Sequence, residues 1–290
     1  MTLFNLGSIN IDNFYRVPHM PAPGETLTAQ EHAVGLGGKG ANQSVAAARA
    51  GADVVQIGAV GPDGQWCLDT LKGAGVDTTQ VASRTVATGH ANIVVDPSGE
   101  NQIILYSGAN HALTVDQIDA ALAHGTPTDT LILQNETNMI VEAAKVARAR
   151  GMRVIYSAAP FVAADAKAML PHTDMLVLNQ VEAQQLTDAL GKTIADLNLP
   201  VVLITKGSEG AVWIESGVET AQVSAFPVTP VDTTGAGDCF IGYVAAGLDQ
   251  GMTPEHAMRL GAAASAIKVT RFGTADAIPS RDEVDRFLAG

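Results

Sequence analysis

The sequence predicts one α/β domain over residues 1–290, with a mainly parallel central sheet and helices on both of its faces. Short apolar runs alternate with amphipathic stretches along most of the 290 residues, which is typical of right-handed βαβ units. Two segments, at roughly residues 11–35 and 88–106, break this rhythm. The length is compatible with one extended domain or two smaller ones, and the absence of a linker or repeat favours one.

The parallel sheet is predicted from strand-length apolar runs. A first strand is expected near the N-terminus, ending near Gly7. The other predicted strands are Asp53–Gly58, Thr130–Gln134, Arg153–Ser157, Met175–Leu178 and Val201–Thr205. Amphipathic stretches at Asn138–Arg150 and Gln180–Leu190 predict helices between them. Residues 235–270 are rich in Ala and Gly and predict two closely packed helices around Gly251–Pro254.

The two exceptional segments predict β-structure that leaves the main sheet and returns to it. Residues 11–35 hold Pro18, Pro21 and Pro23 between short extended pieces. Residues 88–106 alternate in strand fashion around Asp96–Gly99, a good hairpin turn. The pattern leaves two interpretations open: a small β lid over a substrate cleft, or decoration of the surface.

The composition limits the classes of partner. Hydrophobic residues make up 47% and charged residues 16% of the chain, which excludes disorder as its main character. There are 17 Lys and Arg against 30 Asp and Glu, a formal net charge of −13. Such a chain repels phosphate backbones and anionic membrane surfaces, so we expect neither nucleic acid nor membrane as a partner. A nucleotide can still bind through backbone N–H groups, helix N-termini and Mg²⁺.

The cysteines and the N-terminus predict a cytoplasmic protein. No apolar run approaches the roughly 18–20 residues that span a bilayer, and Met1–Gly7 has neither a basic region nor a signal-peptide core. Cys67 and Cys239 lie far apart and match no disulfide or zinc framework. Cys239 stands at a predicted helix start, where a thiol can be activated, but a small buried side chain is the favoured interpretation.

Two glycine motifs imitate nucleotide-binding fingerprints. Gly35–Gly40 has the dinucleotide spacing, but that fingerprint belongs to the first βα turn, and the first strand ends far upstream, near Gly7. Gly191–Thr193 imitates the end of a P-loop, but Leu186 stands where a P-loop requires Gly. Neither a nicotinamide enzyme nor a P-loop enzyme is favoured.

The motif that carries most chemistry is Asp232–Asp238, which leads directly into an apolar helix. Gly235, Ala236 and Gly237 open that helix, so unpaired N–H groups meet at its positive end. Small residues let an anion approach the backbone closely. A carboxylate beside an anion site repels the anion, but Asp238 makes sense if it accepts a proton from a hydroxyl that attacks phosphorus. The alternative is a capping Asp with a glycine turn.

Several polar residues at predicted strand ends form a candidate sugar site. Asp12 follows the first strand and could accept two hydroxyls, while Glu136 follows the strand that ends at Gln134. Gly37–Asn42 leads into a predicted helix, Ala41–Ala50, and offers Lys39 and Asn42 as donors. The carboxyl ends of parallel strands form the usual mouth of such a sheet. Each of these residues alone is more often a helix cap.

Two further turns are candidates for nucleotide and metal binding. Asn179–Glu182 begins a helix after a strand, so Glu182 could hold Mg²⁺ through water, or it could serve only as the first-turn acid of a cap. Thr205–Gly210 is a tight glycine turn that could contact phosphates or only join a hairpin.

Taken in order, these motifs resemble the ribokinase family of sugar kinases over essentially the whole chain. The motifs that carry the resemblance are Gly7–Asp12, Pro23–Thr26, Gly37–Gln43, Gly108–Asn110 and Asp232–Asp238. The resemblance implies an α/β sandwich with a β lid, ATP as co-substrate with Mg²⁺, a small sugar as acceptor, and a homodimer formed through the lids. It also implies a monovalent cation, usually potassium, held mostly by carbonyls beside the anion hole.

The resemblance assigns roles to individual residues. Asp238 would be the general base, with Gly235, Ala236 and Gly237 as the anion hole. The sugar would be bound by Asn10, Asp12, Gly38, Lys39, Asn42, Glu136 and Asp238. The nucleotide would be bound by Asn179, Thr205, Gly207, Ser208, Gly210 and Gly237, and Glu182 would order Mg²⁺. The monovalent cation would lie at Asp232, Thr234, Lys268, Arg271, Gly273 and Ala277.

Three departures from the family pattern concern the cation and the sugar. Ser157–Pro160 reads Ser-Ala-Ala-Pro where the family often has Asn-Pro-Ala-Pro, Gln180 replaces a usual Glu, and Ala277 stands where a Ser often helps the cation site. The base and the anion hole are intact. We therefore expect ATP-dependent phosphorylation of the primary hydroxyl of a small sugar, ribose first.

The alternatives are a kinase of the same family for a ketose, a deoxysugar acid or a nucleoside, and a non-catalytic sugar sensor. A nucleoside is weakly disfavoured because aromatic residues make up 4% of the chain and segments 8–12 and 37–42 contain none to stack on a base. The sensor is disfavoured because Asp238 and the Gly-Ala-Gly turn are both present.

Overall fold

The computed structural model describes residues 1–290 and confirms the α/β class, with one large sheet and one small sheet. The strands are β1 Thr2–Leu6, β2 Asn10–Arg16, β3 Glu31–Gly37, β4 Asp53–Val60, β5 Asp77–Ser83, β6 Gly89–Val95, β7 Asn101–Tyr106, β8 Thr130–Gln134, β9 Arg153–Ser157, β10 Met175–Asn179, β11 Val201–Thr205, β12 Ala211–Glu215 and β13 Val218–Val223. The helices are α1 Lys39–Arg49, α2 Gln65–Gly73, α3 Val115–Ala121, α4 Ile140–Ala149, α5 Ala163–Met169, α6 Gln180–Leu190, α7 Ala236–Asp249, α8 Pro254–Val269 and α9 Arg281–Ala289.

The large sheet has nine strands in the order β13-β12-β11-β10-β9-β8-β1-β4-β5. Every neighbouring pair from β11 to β5 is parallel, and the two pairs at one edge, β11–β12 and β12–β13, are antiparallel. Because the strands between β11 and β4 run in one direction, their carboxyl ends meet at the same edge of the sheet, where α/β proteins usually bind ligands.

The strands of the large sheet bury both faces. Successive residues of β1 illustrate this: Leu3 belongs to a core of 37 buried residues, and Phe4 belongs to a second core of 29. Helices α1, α2, α7 and α8 cover the first face, and α3 to α6 cover the second. This arrangement follows from the alternation of side chains along a strand, and it is why these strands read as continuous apolar runs.

Several predicted element bounds differ from the structure by one or two residues, and three of these differences have a local cause. Helix α1 begins at Lys39, two residues before the predicted start, because Gly38 is its N-cap. Helix α4 begins at Ile140, later than predicted, because Met139 adopts a left-handed conformation with φ 63°. Strand β10 extends to Asn179, which is also the N-cap of α6.

The small sheet has four strands in the order β3-β2-β6-β7, so both exceptional segments contribute to it. Strand β2 pairs antiparallel with β3 and parallel with β6, and β6 pairs antiparallel with β7. We call these four strands the lid sheet. Its own core contains three buried residues, Phe14, Ala91 and Ile93.

The glycine motif Gly35–Gly40 lies where β3 is followed by α1, because β3 ends at Gly37 and α1 begins at Lys39. That strand belongs to the antiparallel pair of the lid sheet. The motif is therefore not the first βα turn of a dinucleotide fold.

None of the helices is both long enough and apolar enough to cross a membrane.

Candidate active site

The candidate site lies where four strands of the large sheet end beside the N-terminus of α7. Glu136 follows β8, Ser157 ends β9, Asn179 ends β10 and Thr205 ends β11. Polar side chains from separate parts of the sequence thus reach one edge of the sheet, as the strand pattern predicts.

Helix α7 begins with an anion-binding turn. Its N-cap, Gly235, has φ 71°, a left-handed conformation that glycine adopts at little cost. The backbone N–H groups of Gly235, Gly237 and Asp238 donate to no acceptor within the protein, whereas Ala236 N–H donates to Thr233 O at 3.1 Å. Of the three residues assigned to the anion hole, Gly235 and Gly237 therefore offer free donors at the positive end of the helix.

Asp238 is buried beside this turn and is held by two amide side chains. Asn42 Nδ2 donates to its Oδ2 at 3.2 Å, and Gln43 Nε2 donates to its Oδ1 at 3.0 Å. Both donors come from α1, which packs against α7 through Ala46 and Gly242. Two donors on two oxygens fix the rotamer of the carboxylate, which is what a positioned base requires.

Sequence reasoning missed Gln43 as a neighbour of Asp238. Gln43 Oε1 in turn accepts from Gln134 Nε2 at 2.8 Å, and Gln134 also donates to Asn5 Oδ1 at 2.8 Å. Gln43, Gln134 and Asn5 are all completely buried. The sequence did contain a signal for Gln43. It is a polar residue on a face of α1 that should be apolar, and it is next to the motif residue Asn42.

A small cavity joins Asp238 to residues of four other elements. Its volume is about 160 Å³, and Lys39, Ser157, Asn179, Glu182 and Gly237 line it together with Asp238. The charge of Asp238, reinforced by Glu136 and Glu182, raises the pKa of Lys39 despite its burial. An ammonium and free amides facing one cavity can stabilise the negative charge of a phosphoryl group in transfer.

Glu182 forms part of a helix cap as well as the wall of this cavity. Asn179 Oδ1 accepts from Glu182 N, and Glu182 Oε2 accepts from Asn179 N, both at 2.8 Å. Burial raises the pKa of Glu182, partly offset by the hydrogen bond from Asn179 and by Lys39. The capping interpretation is thus correct for one carboxylate oxygen, while Oε1 has no donor in the protein.

A larger cleft of about 460 Å³ adjoins the small cavity. It is lined by the predicted nucleotide residues Thr205, Gly207, Ser208, Gly210 and Gly237. Asn179 lines only the small cavity. The two spaces share Thr205, Thr233, Ala236 and Gly237, so a ligand in the cleft could extend past the start of α7 towards Asp238.

The apolar wall of the cleft was not predicted from the sequence. Phe226, Pro227 and Val228, in a segment between β13 and α7 without regular structure, face Phe240 and Val269 across the cleft. Phe226 is held by Phe287, with ring centroids 5.2 Å apart, and by Arg259, 5.4 Å from its centroid. The segment gives no periodic signal, because its prolines prevent a helix or a strand.

The predicted sugar residues lie on the other side of Asp238, and two of them belong to the lid sheet. Asn10 and Asp12 were expected at the end of the first strand, but β1 ends at Leu6 and both residues lie on β2. Asn10 Oδ1 accepts from Asn110 Nδ2 at 2.7 Å. Burial, followed by the charges of Glu136 and Asp238, raises the pKa of Asp12 to about 7.

The remaining sugar candidates lie at the N-terminus of α1. Glu136 Oε2 accepts from Lys39 N–H at 3.0 Å and from Ser8 Oγ at 2.5 Å, so Glu136 caps this helix. A Cβ at Gly40 would lie 2.4 Å from the carbonyl carbon of Gly7, which explains the glycine by close backbone approach. Asn42 Oδ1 is buried without a partner.

The residues assigned to a monovalent cation are only partly brought together. Asp232 Oδ1 accepts from Thr234 N–H at 2.9 Å, Asp232 Oδ2 accepts from Gly273 N–H at 3.0 Å, and Asp232 O accepts from Lys268 Nζ at 2.9 Å. The Arg271 side chain instead donates to Glu283 at 2.6 Å, and Ala277 is buried in the following turn.

Cys239, which the sequence offered as a possible reactive thiol, is completely buried, and burial raises its pKa to about 12.

The fold and the site define a phosphotransferase that acts on a hydroxyl of a small molecule. A nucleotide-sized cleft, an anion-binding helix start, a buried carboxylate and a polar pocket occur in that order across the sheet edge. The family model for pfkB family carbohydrate kinases matches residues 2–281. The chain belongs to this family, and it is an ATP-dependent carbohydrate kinase.

Individual relatives match over nearly their full length. A ribokinase from Haemophilus influenzae is 37% identical and covers 99% of this chain and 98% of its own. A deoxyribokinase from Salmonella typhi is 31% identical and covers 100% of this chain and 99% of its own. The structure of an Arabidopsis thaliana ribokinase complexed with ribose and ATP superposes with a TM-score of 0.85 at 28% identity, over 99% of this chain and 98% of that one.

Proposed function

We propose that this kinase transfers the γ-phosphate of ATP to the 5-hydroxyl of D-ribose, giving ribose 5-phosphate and ADP. The observation that carries the proposal is the meeting of the nucleotide cleft and the small cavity at the start of α7, next to Asp238. The names and coverage of the ribokinase relatives support ribose as the acceptor.

Asp238 is the general base in this proposal. Its two amide neighbours hold it while it accepts the proton of the attacking hydroxyl. The free amides of Gly235 and Gly237, with the Lys39 ammonium, stabilise the charge on the transferred phosphoryl oxygens. Attack and departure occur in line, so the sugar and the nucleotide must approach from opposite sides of this turn.

The sugar and the nucleotide would bind on opposite sides of α7. Asn10, Asp12 and Asn42 would accept and donate hydrogen bonds to sugar hydroxyls, and the ring would lie beside the backbone of Gly38. On the other side, Gly207, Ser208 and Gly210 would contact phosphates, and the apolar wall around Phe226 would receive the base. The lid sheet would exclude water, which would otherwise compete as acceptor.

Mg²⁺ is the usual partner of ATP in this family, and the carboxylates here fit an ion carried mainly by phosphates. No group of three or more His, Cys, Asp or Glu residues could hold a metal by itself. Glu182 keeps one carboxylate oxygen free at the small cavity, which suits binding through water. The ion would neutralise charge between the phosphates. The protein residues then provide the orientation.

We also propose a homodimer formed through the lid sheets. All six residues of β7 are exposed, among them Ile103, Ile104, Leu105 and Tyr106. An apolar edge strand of this length is a ready surface for pairing. A second copy of the same strand would cover this surface.

For the location we propose the cytoplasm. ATP is available there, and both cysteines are free and buried, which is typical of a reducing compartment.

The second candidate acceptor is a deoxyribose, because a relative of that name matches the chain with 31% identity. A ketose, a deoxysugar acid or a nucleoside is a more distant choice. Segments 8–12 and 37–42, which hold most of the predicted sugar residues, contain no aromatic platform for a base. Ser157, which departs from the family pattern, lines the small cavity next to Asp238 and is therefore the residue to examine if ribose is not preferred.

The test is coupled ADP release with Mg²⁺ and ATP, comparing D-ribose with 2-deoxy-D-ribose, D-fructose, 2-keto-3-deoxy-D-gluconate and inosine. We expect ribose to have the highest kcat/KM by about tenfold or more, since a missing hydroxyl leaves polar groups unpaired. A different winner would replace the acceptor and keep the kinase chemistry. Titration calorimetry that detects ribose binding without any ADP formation would instead support a sugar sensor.

A further inference from the structure

Lys268 is an unusual residue for the place it occupies. It lies in the last turn of α8 and is completely buried, although lysine is almost never fully buried unless it is paired. Its Nζ donates to the backbone oxygen of Asp232 at 2.9 Å and makes no other hydrogen bond or ion pair with the protein. The only structural element that this ammonium contacts by hydrogen bond is therefore the loop that leads into the anion hole.

Burial lowers the pKa of Lys268, and the charges of Asp232, Cys239 and Asp238 offset this effect only in part. Two of these three residues are the carboxylates at the ends of the Asp232–Asp238 motif. Ser265, one turn earlier on α8, donates its hydroxyl to Ala236 O at 2.9 Å, so it contacts the same segment without carrying a charge.

Asp232, the acidic residue expected to bind a monovalent cation, already has its oxygen atoms hydrogen-bonded. All three oxygens of Asp232 accept N–H groups, from Thr234, Gly273 and Lys268. The guanidinium of Arg49 donates to the carbonyls of Ala275 and Ile278, on either side of Ala277. A potassium ion at this place would have to approach a buried ammonium of the same sign, even though the backbone oxygens of Thr234, Arg271, Gly273 and Ala277 accept no hydrogen bond within the protein. Because of this ammonium, the residues present do not fit a potassium site.

We propose that the Lys268 ammonium supplies the positive charge beside the anion hole, so that this kinase does not require a monovalent cation. The inference rests on the proposed kinase function. Lys268 is a positioning residue, since its Nζ reaches Asp232 O and not the substrate. By fixing that carbonyl it orients the turn whose Gly235 and Gly237 amides face the phosphoryl group, and its charge adds to the field of the α7 N-terminus.

The first experiment measures kcat and KM of the unaltered enzyme in potassium chloride and in tetramethylammonium chloride at equal ionic strength. We expect the two kcat values to agree within about threefold, because the charge is covalently attached. Activation by potassium of more than about threefold overturns the proposal. This measurement needs no variant, so it decides even if changes at Lys268 prevent folding.

The second experiment compares Lys268→Met with Ser265→Ala, which removes a neutral hydrogen bond to the same loop. In tetramethylammonium we expect Lys268→Met to lose roughly tenfold to a hundredfold in kcat, with the KM of the sugar little changed, because the loss acts on the transition state. Methylammonium or potassium should restore part of that kcat, and Lys268→Arg should keep most of it. A kcat within about threefold of the unaltered enzyme, or a loss that neither cation reduces, overturns the proposal.

A binding measurement separates this proposal from the assignment of the acceptor. Titration calorimetry with ADP and Mg²⁺ reports on the anion-binding turn whatever sugar is used. We expect the ADP affinity of the unaltered protein to be the same in potassium and tetramethylammonium, and that of Lys268→Met to be weaker and partly restored by potassium. If ADP binds in this way while ribose is not phosphorylated, only the acceptor is wrong. An ADP affinity that depends on potassium in the unaltered protein contradicts the role of Lys268.

Discussion

The large sheet and the lid sheet place complementary parts of the site, but they are stabilised very differently. The large sheet is covered on both faces by cores of 37 and 29 buried residues, and the lid sheet has a core of three. Asp238 and the nucleotide cleft belong to the first, whereas Asn10 and Asp12 lie on β2 of the second. The chemistry is therefore held by a rigid, closely packed body, and recognition of the sugar is shared with an element of low local stability.

This difference between the two sheets predicts which kinetic constant a variant changes. Changes in the body should act on kcat, because they affect groups that are already positioned before the ligand binds. Changes in the lid sheet should act mainly on the KM of the sugar and on association of the subunits, because that sheet gains contacts when it closes or pairs.

The largest effect is expected from Asp238→Asn. The amide cannot accept the proton of the hydroxyl, so kcat should fall by roughly 10²–10⁴-fold with sugar binding partly kept. Steady-state kinetics and sugar titration measure the two quantities. Asp249→Asn, at the other end of α7, is the matched control and should keep near-normal turnover. Near-normal turnover in Asp238→Asn would remove Asp238 as the base.

A smaller loss of kcat is expected from Gln43→Met, again within the body. It removes the 3.0 Å hydrogen bond to Asp238 Oδ1 and leaves Gln134 Nε2 with one acceptor, Asn5 Oδ1, in place of two. Loss of one hydrogen bond to a charged group is worth roughly 1.5–3 kcal/mol, which corresponds to a decrease of about tenfold to a hundredfold. Kinetics and the thermal unfolding midpoint should be measured together. Reduced stability with unchanged kcat would mean that Gln43 only packs the core.

On the lid side, Asp12→Asn should raise the KM of the sugar more than it lowers kcat. We expect an increase in KM of about tenfold, since an amide accepts hydroxyls less well than a carboxylate. The pKa of Asp12 is raised to about 7, so its carboxylate is lost as the pH falls through that value. Sugar affinity should therefore weaken from pH 8 to pH 6, and this dependence should be absent in Asp12→Asn. A pH dependence identical in both proteins would assign the titration to another group.

The smallest effect on catalysis is expected from Ile104→Asp on β7. Ile104 is 69% exposed, so the change should leave the fold of one subunit intact while a charge opposes pairing of the lid sheets. Analytical ultracentrifugation should find a dimer before the change and a monomer after it, with KM of the sugar raised a few-fold and kcat nearly unchanged. Val218→Asp, on the exposed edge strand of the large sheet, is the control and should not alter the mass. A monomer before the change would contradict the lid dimer.

The fold was largely predictable because the signals for it are local. The apolar runs of β8, β9, β10 and β11 have the length and composition of buried parallel strands, and helix α6 matches its predicted bounds. The glycine turns at Gly35–Gly40 and Gly235–Gly237 are equally visible in the sequence. The ends of α1 and α4 were less predictable, since Gly38 and Met139 take conformations that tertiary contacts select.

The candidate site was predictable only where its residues form motifs. Asp238, Asn42 and the Thr205–Gly210 turn were identified because they stand in short patterns with a chemical meaning. Gln43, Gln134 and the apolar wall around Phe226 were not, because a single polar residue in a helix or an irregular proline-rich segment has no period to detect. Asn10 and Asp12 were found but assigned to the wrong strand.

The sequence by itself determined the class of fold, the anion-binding turn and the carboxylate that follows it, because periodicity and turn chemistry depend on residues near one another in the chain. Only the tertiary structure decided which distant groups meet. It brought Gln43 within hydrogen-bond distance of Asp238 and placed Thr233 and Gly237 in the walls of both the cleft and the small cavity. It also brought the Lys268 ammonium within hydrogen-bond distance of Asp232 O. Contacts such as Lys268 with Asp232 depend on the packing of α8 against the start of α7, and no local pattern encodes that distance.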